Sequence, residues 1–155
     1  MKSINFIEEH KEMFFHWLFK VASKNFPRVC EYASDVLGCW LYVNFPDDDI
    51  EIQSGLFDGW SHSWIEIDGK VIDFTITQFI GGLNQDEQTD LSDEAFYQAY
   101  FLKYIESPFI ANAELLKQYK VEEGLIVCQY GLAKWHKEKG SDFQTYLNSV
   151  VTGRW

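Results

Sequence analysis

Cysteine is scarce in this sequence: Cys30, Cys39 and Cys128 are the only three. An odd, widely spaced set is no disulfide framework. With no Cys-x-x-Cys pair, a structural zinc site has no anchor. Basic residues are also few, 13 against 24 acidic, giving a net charge of −11. Binding nucleic acid through its phosphates needs clustered Lys and Arg, and so does an anionic membrane surface. Neither is an expected partner. No apolar run approaches the length of a membrane span. The opening residues, MKSINFIEEHKEM, lack the apolar core of a signal peptide. Unpaired cysteines and the absence of these segments predict a reducing, cytoplasmic setting. There is no internal repeat and no low-complexity linker.

Apolar material, by contrast, is plentiful. Hydrophobic residues make up 46% and aromatics 17% of the 155 residues, which excludes a largely disordered chain. The length suits one domain spanning residues 1–155. A chain of this size buries roughly two-thirds of its unfolded surface. The acidic balance serves solubility and, beyond that, suits a basic protein or peptide partner.

Hydrophobic spacing predicts an amphipathic helix over 5–24, through Phe14, Phe15, Trp17, Leu18 and Val21. Pro27 interrupts it. A second helix is predicted over 29–43, beginning close to Cys30, with Val29, Ala33, Val36, Leu37 and Trp40 on one face. Pro46 and the run Asp47, Asp48, Asp49 predict a solvated turn. The period then changes to two. Strands are predicted over 50–57, 61–68 and 70–75, with a tight hairpin at Asp68-Gly69. On the second strand His62, Trp64 and Glu66 share one face, and Ser63, Ile65 and Ile67 the other. Gly81-Gly82 and residues 84–93 read as loop. Residues 93–105 suit helix and strand equally. Residues 112–119 and 125–138 lean helical, and 141–151 reads as a final helix with Ser141 in the N-cap position. The order is that of an α+β fold, with N-terminal helices packed on an antiparallel sheet.

The chemistry concentrates on three residues. Cys30 opens a helix, where the positive end of the macrodipole favours the thiolate, the nucleophilic form of cysteine. Unpaired backbone N–H groups at such an end can donate to a developing oxyanion. His62 supplies the base that a thiol needs near neutral pH. A two-residue turn at Asp68-Gly69 pairs residues whose numbers sum to about 137, so odd positions face even ones. His62 then lies opposite Thr75 or its neighbour, with Asp73 diagonal to it on the same face. Asp73 can orient the imidazole and stabilise its cation. An acid among Val71, Ile72 and Phe74 needs such a partner.

Trp64, two residues after His62, is placed to pack over the imidazole and exclude water. Gln53 and Gln78 are candidate donors to an oxyanion or a substrate amide. Cys39 and Cys128 read as core, and His10, His16 and His136 are assigned no chemistry. A metal site built on His62, Asp73 and a cysteine lacks any recognised ligand spacing, so no metal or other cofactor is expected.

The helix start at Cys30, followed by His62-Ser63-Trp64-Ile65-Glu66 and then Asp73-Phe74-Thr75, resembles the core of the transglutaminase-like branch of the papain-fold cysteine enzymes. In that pattern a Cys heads a helix, His-x-Trp-x-Glu lies on a strand and Asp-x-Thr on the next. The stretch Asp73–Phe79 also looks like small bacterial proteins of this type. The likeness covers about residues 25–80. It implies a papain-like fold, with Cys30 as nucleophile, His62 as base and then acid, and Asp73 as orienter. The expected activity is thioester-forming acyl transfer: peptidase, amidohydrolase or transglutaminase-type. The competing expectation is an acidic, non-catalytic binding module of inhibitor or immunity type on the same fold.

Overall fold

A computed structural model describes residues 2–22, 29–76, 94–95, 97–99, 101, 110–121 and 131–151. Helices α1 (Lys2–Glu9) and α2 (Lys11–Ala22) come first, then α3 (Cys30–Asn44). Three strands follow: β1 (Ile50–Phe57), β2 (Trp60–Ile67) and β3 (Lys70–Ile72). Further on lie α4 (Ala113–Leu116), β4 (Tyr119–Lys120), β5 (Gly131–Leu132) and α5 (Ser141–Val151). The sheet is antiparallel in the order β3-β2-β1-β4, and β5 also pairs with β1. The fold is α+β.

Both hairpins are closed by Asp-Gly. Asp58 and Gly59 have φ of 46° and 83°, and Asp68 and Gly69 have 49° and 80°. Left-handed backbone at both central residues matches the twist of the flanking strands. The β2–β3 register pairs Ile65 with Ile72 and Ile67 with Lys70, the pairing expected from the turn. One sheet face carries Ile50, Ile52, Ile65 and Ile67 into the core beneath α3. There α3 comes so close that a Cβ on Gly38 would lie 2.8 Å from Cγ1 of Ile52. The other face carries Gln53, Gly55 and Phe57, opposite Trp64, His62 and Trp60.

The single helix expected over 5–24 is two. At His10 the ring Nδ1 donates to the Phe6 carbonyl (2.8 Å), and the backbone N–H is shared between the Phe6 and Ile7 carbonyls. The two helices pack largely on other helices: Phe6 meets Trp40, and Phe14 and Trp17 meet Phe143 of α5. It is α3 that lies on the sheet. Nor is the turn after Pro46 merely solvated. Asp48 accepts from the Ser3 hydroxyl and from its N–H (2.9 Å), tying down the start of α1. Those hydrogen bonds hold the Asp48 carboxyl below its usual range.

The C-terminal third departs further. Only Ala113–Leu116 of 112–119 is helical, N-capped by Asn112, whose Oδ1 accepts from the Leu115 N–H at 2.9 Å. Tyr119 and Lys120 pair with β1 instead. The described part of 125–138 is strand β5 and two short 3₁₀ helices, Ala133–Trp135 and Lys137–Gly140. Gly140 presses so close to α3 that a Cβ there would lie 2.7 Å from the Trp40 nitrogen. The final helix is present, but Ser141 has helical dihedrals (φ −60°, ψ −30°) and is not its N-cap, because the preceding 3₁₀ turn runs straight into it. Of residues 93–105, those described are helical. Gly81-Gly82 and 84–93 lie outside the described residues. Among the described residues, no helix is long and apolar enough to cross a membrane.

Candidate active site

Cys30 is the first residue of α3, as the sequence spacing predicts. Val29 precedes it in a non-helical conformation, with no side-chain cap on the helix. The first helical hydrogen bond runs from the Ala33 N–H to the Val29 carbonyl, 2.8 Å. The N–H groups of the first turn therefore face outward beside the thiol. Cys30 is partly exposed. Glu31 beside it points to solvent, where water screens its charge.

His62 lies on β2 and Asp73 immediately after β3. Their side chains are fully buried, and Nε2 of His62 donates to Oδ2 of Asp73 at 2.6 Å. Asp73 also ends its own strand. Its Oδ1 accepts from the Thr75 N–H at 3.0 Å and from the Thr75 hydroxyl at 3.4 Å. This side-chain-to-backbone turn bends the chain out of the sheet, so the expected strand over 70–75 stops at Ile72.

Burial opposes the His62 cation. The Asp73 charge and hydrogen bond outweigh it, helped by Cys30, and lift the imidazole from 6.5 to about 9. The ring is thus coupled to the thiol as well as to the carboxylate. With Nε2 held by Asp73, Nδ1 is the nitrogen that can serve the thiol.

Trp64 stacks beside His62, with centroids 6.1 Å apart and planes 29° apart. Phe57 meets the imidazole edge-on at 6.1 Å. These rings wall the histidine from water. Gln53 is on the same face, with its amide nitrogen engaged. Nε2 donates to Glu66 at 2.6 Å and to Glu51 at 3.4 Å. It shores up Glu66, whose carboxyl burial raises. Gln78 and Cys128 lie outside the described residues. Cys39 is buried on α3, and its thiol is pushed up to about 12, chiefly by burial. It has no nucleophilic form at neutral pH. Among the described residues no group of three His, Cys, Asp or Glu side chains is placed to hold a metal.

One member of the site carries no signal in the sequence. Tyr119, on β4, donates its hydroxyl to Oδ2 of Asp73 at 2.6 Å. Its ring packs on Phe57 at 4.9 Å and Trp64 at 5.1 Å. It lies 46 residues beyond Asp73 in a segment that reads as helical, and only the β1–β4 pairing brings it in.

No protein family, no curated protein and no solved structure matches this chain.

Proposed function

We propose that this protein is a cysteine-dependent acyl-transfer enzyme on a papain-like scaffold of the transglutaminase-like kind. The observation that carries the reading is the buried His62–Asp73 pair at 2.6 Å, with a cation lifted in part by Cys30. A buried imidazolium held by a carboxylate and raised in part by a thiol at a helix start suits nucleophilic catalysis better than packing.

In the reaction, the Cys30 sulfur attacks a substrate carbonyl. Its proton passes to, or already rests on, Nδ1 of His62. The oxyanion of the tetrahedral adduct takes hydrogen bonds from N–H groups at the start of α3. As the carbon–nitrogen or carbon–oxygen bond breaks, His62 returns its proton to the leaving group, and a thioester remains on Cys30. Water or an amine then attacks the thioester, giving up a proton to His62, and the thiol is regenerated. Asp73 holds the ring and offsets its charge throughout. The substrate class is a protein or peptide carbonyl, and the net charge of −11 favours basic ones. A reducing, cytoplasmic setting keeps the thiol free.

Thiol reactivity against pH tests this. Iodoacetamide labelling, located by mass spectrometry, is run on wild type and His62→Ala. Cys30 is expected to alkylate well below the pH of about 8.5 at which a free thiol titrates, and His62→Ala to abolish that low-pH reactivity. A Cys30 that stays inert until the protein unfolds would sink the enzyme reading and leave the acidic binding module.

A further inference from the structure

Asp73 is fully subscribed. Its Oδ1 accepts from the N–H and hydroxyl of Thr75. Its Oδ2 accepts from Nε2 of His62 and from the Tyr119 hydroxyl, both at 2.6 Å. Two donors on each oxygen leave the carboxylate no freedom to rotate. They also divide its electron density, because the oxygen that stabilises the imidazolium is the one that Tyr119 shares.

Tyr119 is itself held on several sides. Its backbone pairs opposite Phe57, and the adjacent Gln118 carbonyl accepts from the Asp58 N–H at 3.0 Å. Its ring meets Phe57 and Trp64 edge-on, with that of His62 at 6.3 Å. The sheet makes room for this strand. At Gly55, opposite His62, a Cβ would stand 2.2 Å from the Lys120 carbonyl oxygen.

We infer that Tyr119 is a positioning residue: its hydroxyl fixes the direction of the Asp73 carboxylate and tunes how strongly that carboxylate holds the His62 imidazolium. The inference deepens the reading of Cys30, His62 and Asp73 as one catalytic unit and rests on it for its functional meaning. Burial and the neighbouring Asp73 push the phenol far above its ordinary range. Tyr119 therefore stays a neutral donor wherever the histidine titrates. As a neutral donor it withdraws density from Oδ2 without adding charge. Removing it strengthens the carboxylate's grip on the imidazolium, and making it more acidic weakens that grip.

The test is the titration of His62, followed by nitrogen-15 NMR of the imidazole. Three proteins are compared: wild type, Tyr119→Phe, and a protein carrying 3-fluorotyrosine at position 119. Phenylalanine keeps the ring contacts and deletes the hydroxyl. Fluorotyrosine keeps the shape and donates more strongly. The His62 midpoint is expected to rise by roughly half a unit to one unit in Tyr119→Phe and to fall in the fluorotyrosine protein. A purely structural role would not move the two in opposite directions. Identical His62 titrations in all three would overturn the inference. Should Tyr119→Phe fail to fold, the fluorotyrosine protein decides by the same criterion. Because the readout needs no thiol chemistry, an inert Cys30 would defeat the enzyme reading and leave this measurement intact.

Discussion

His62 carries a pH dependence whose sign can be worked out. Its folded pKa of about 9 stands above the ordinary 6.5. The folded state therefore binds this proton more tightly than the unfolded chain does. The resulting stabilisation is complete below pH 6.5 and is lost as pH rises through 9. Urea midpoints of wild type should fall across that window. In His62→Gln the fall should be absent, and an unchanged slope in the variant would assign it to other groups. Asp73→Asn probes the same pair from the other side. Without its counter-charge the buried ring is left to the desolvation that opposes its cation. Its titration should drop below the ordinary value, with a loss of stability on the order of 3 kcal/mol or more. Imidazole NMR and urea melts measure both effects. This pair was legible in the sequence. Asp68-Gly69 fixes the turn, the turn fixes the register, and an odd separation puts His62 and Asp73 on one face. What Gln53 meets was not legible, because face alone does not say what a side chain touches. The same parity that places it near Trp64 places it beside Glu66, and that half-buried carboxylate accepts from its amide nitrogen.

Elements with short-range signals could be read, and elements made by distant contacts could not. The β1–β2–β3 meander follows from period-two spacing and Asp-Gly turns. Helix α3 follows from its apolar face, and so Cys30 is found at its start. Tyr119 and β4 do not follow, because a two-residue strand has no periodicity and its pairing depends on a glycine 64 residues upstream (119 − 55). In the fold Gly55 is the gap through which β4 approaches. Gly55→Ala would place a Cβ 2.2 Å from the Lys120 oxygen and 3.0 Å from the Trp64 ring. Backbone cannot yield as a side-chain tip can, so β4 must shift. The expected cost is about 1–3 kcal/mol, together with the loss of the Tyr119 hydrogen bond. That loss should appear as the same upward shift of His62 as in Tyr119→Phe. Gly140→Ala is the control at the other end of the molecule. Its Cβ would meet the Trp40 backbone at 2.7 Å, so a similar loss of thermal stability is expected while the His62 titration stays at its wild-type midpoint. If Gly55→Ala also left His62 untouched, β4 would not be what fixes Tyr119.

At the scale of the molecule, the helical layer meets the site through α3 and through Phe14 of α2, which packs on Phe74 beside Asp73. Phe143 of α5 stacks on Phe14 and meets Trp17 and Trp40 edge-on. It thereby gathers α2, α3 and α5, and α3 begins at Cys30. This ring cluster supports the helix that begins at Cys30 and leaves its thiol end partly open. Over the whole chain there are 24 acidic and 13 basic residues. A thiol in such a field should discriminate between reagents of different charge even without a binding pocket. Anionic iodoacetate is repelled on approach, and neutral iodoacetamide is not. At ionic strength of about 0.01 M the Debye length is about 30 Å, comparable to the whole protein, and near 1 M it shrinks to about 3 Å. The ratio of iodoacetamide to iodoacetate rate constants at Cys30 should therefore fall several-fold over that range. The intrinsic reactivity difference between the two reagents cancels in the comparison. A ratio that ignores salt would mean that the imidazolium beside the thiol, or the basic groups, neutralise the field locally. Acidity would then have no bearing on substrate choice. A ratio that collapses with salt would mean that substrates approach through a negative potential. Basic peptides should then outcompete acidic ones at low salt and lose that advantage as salt is raised.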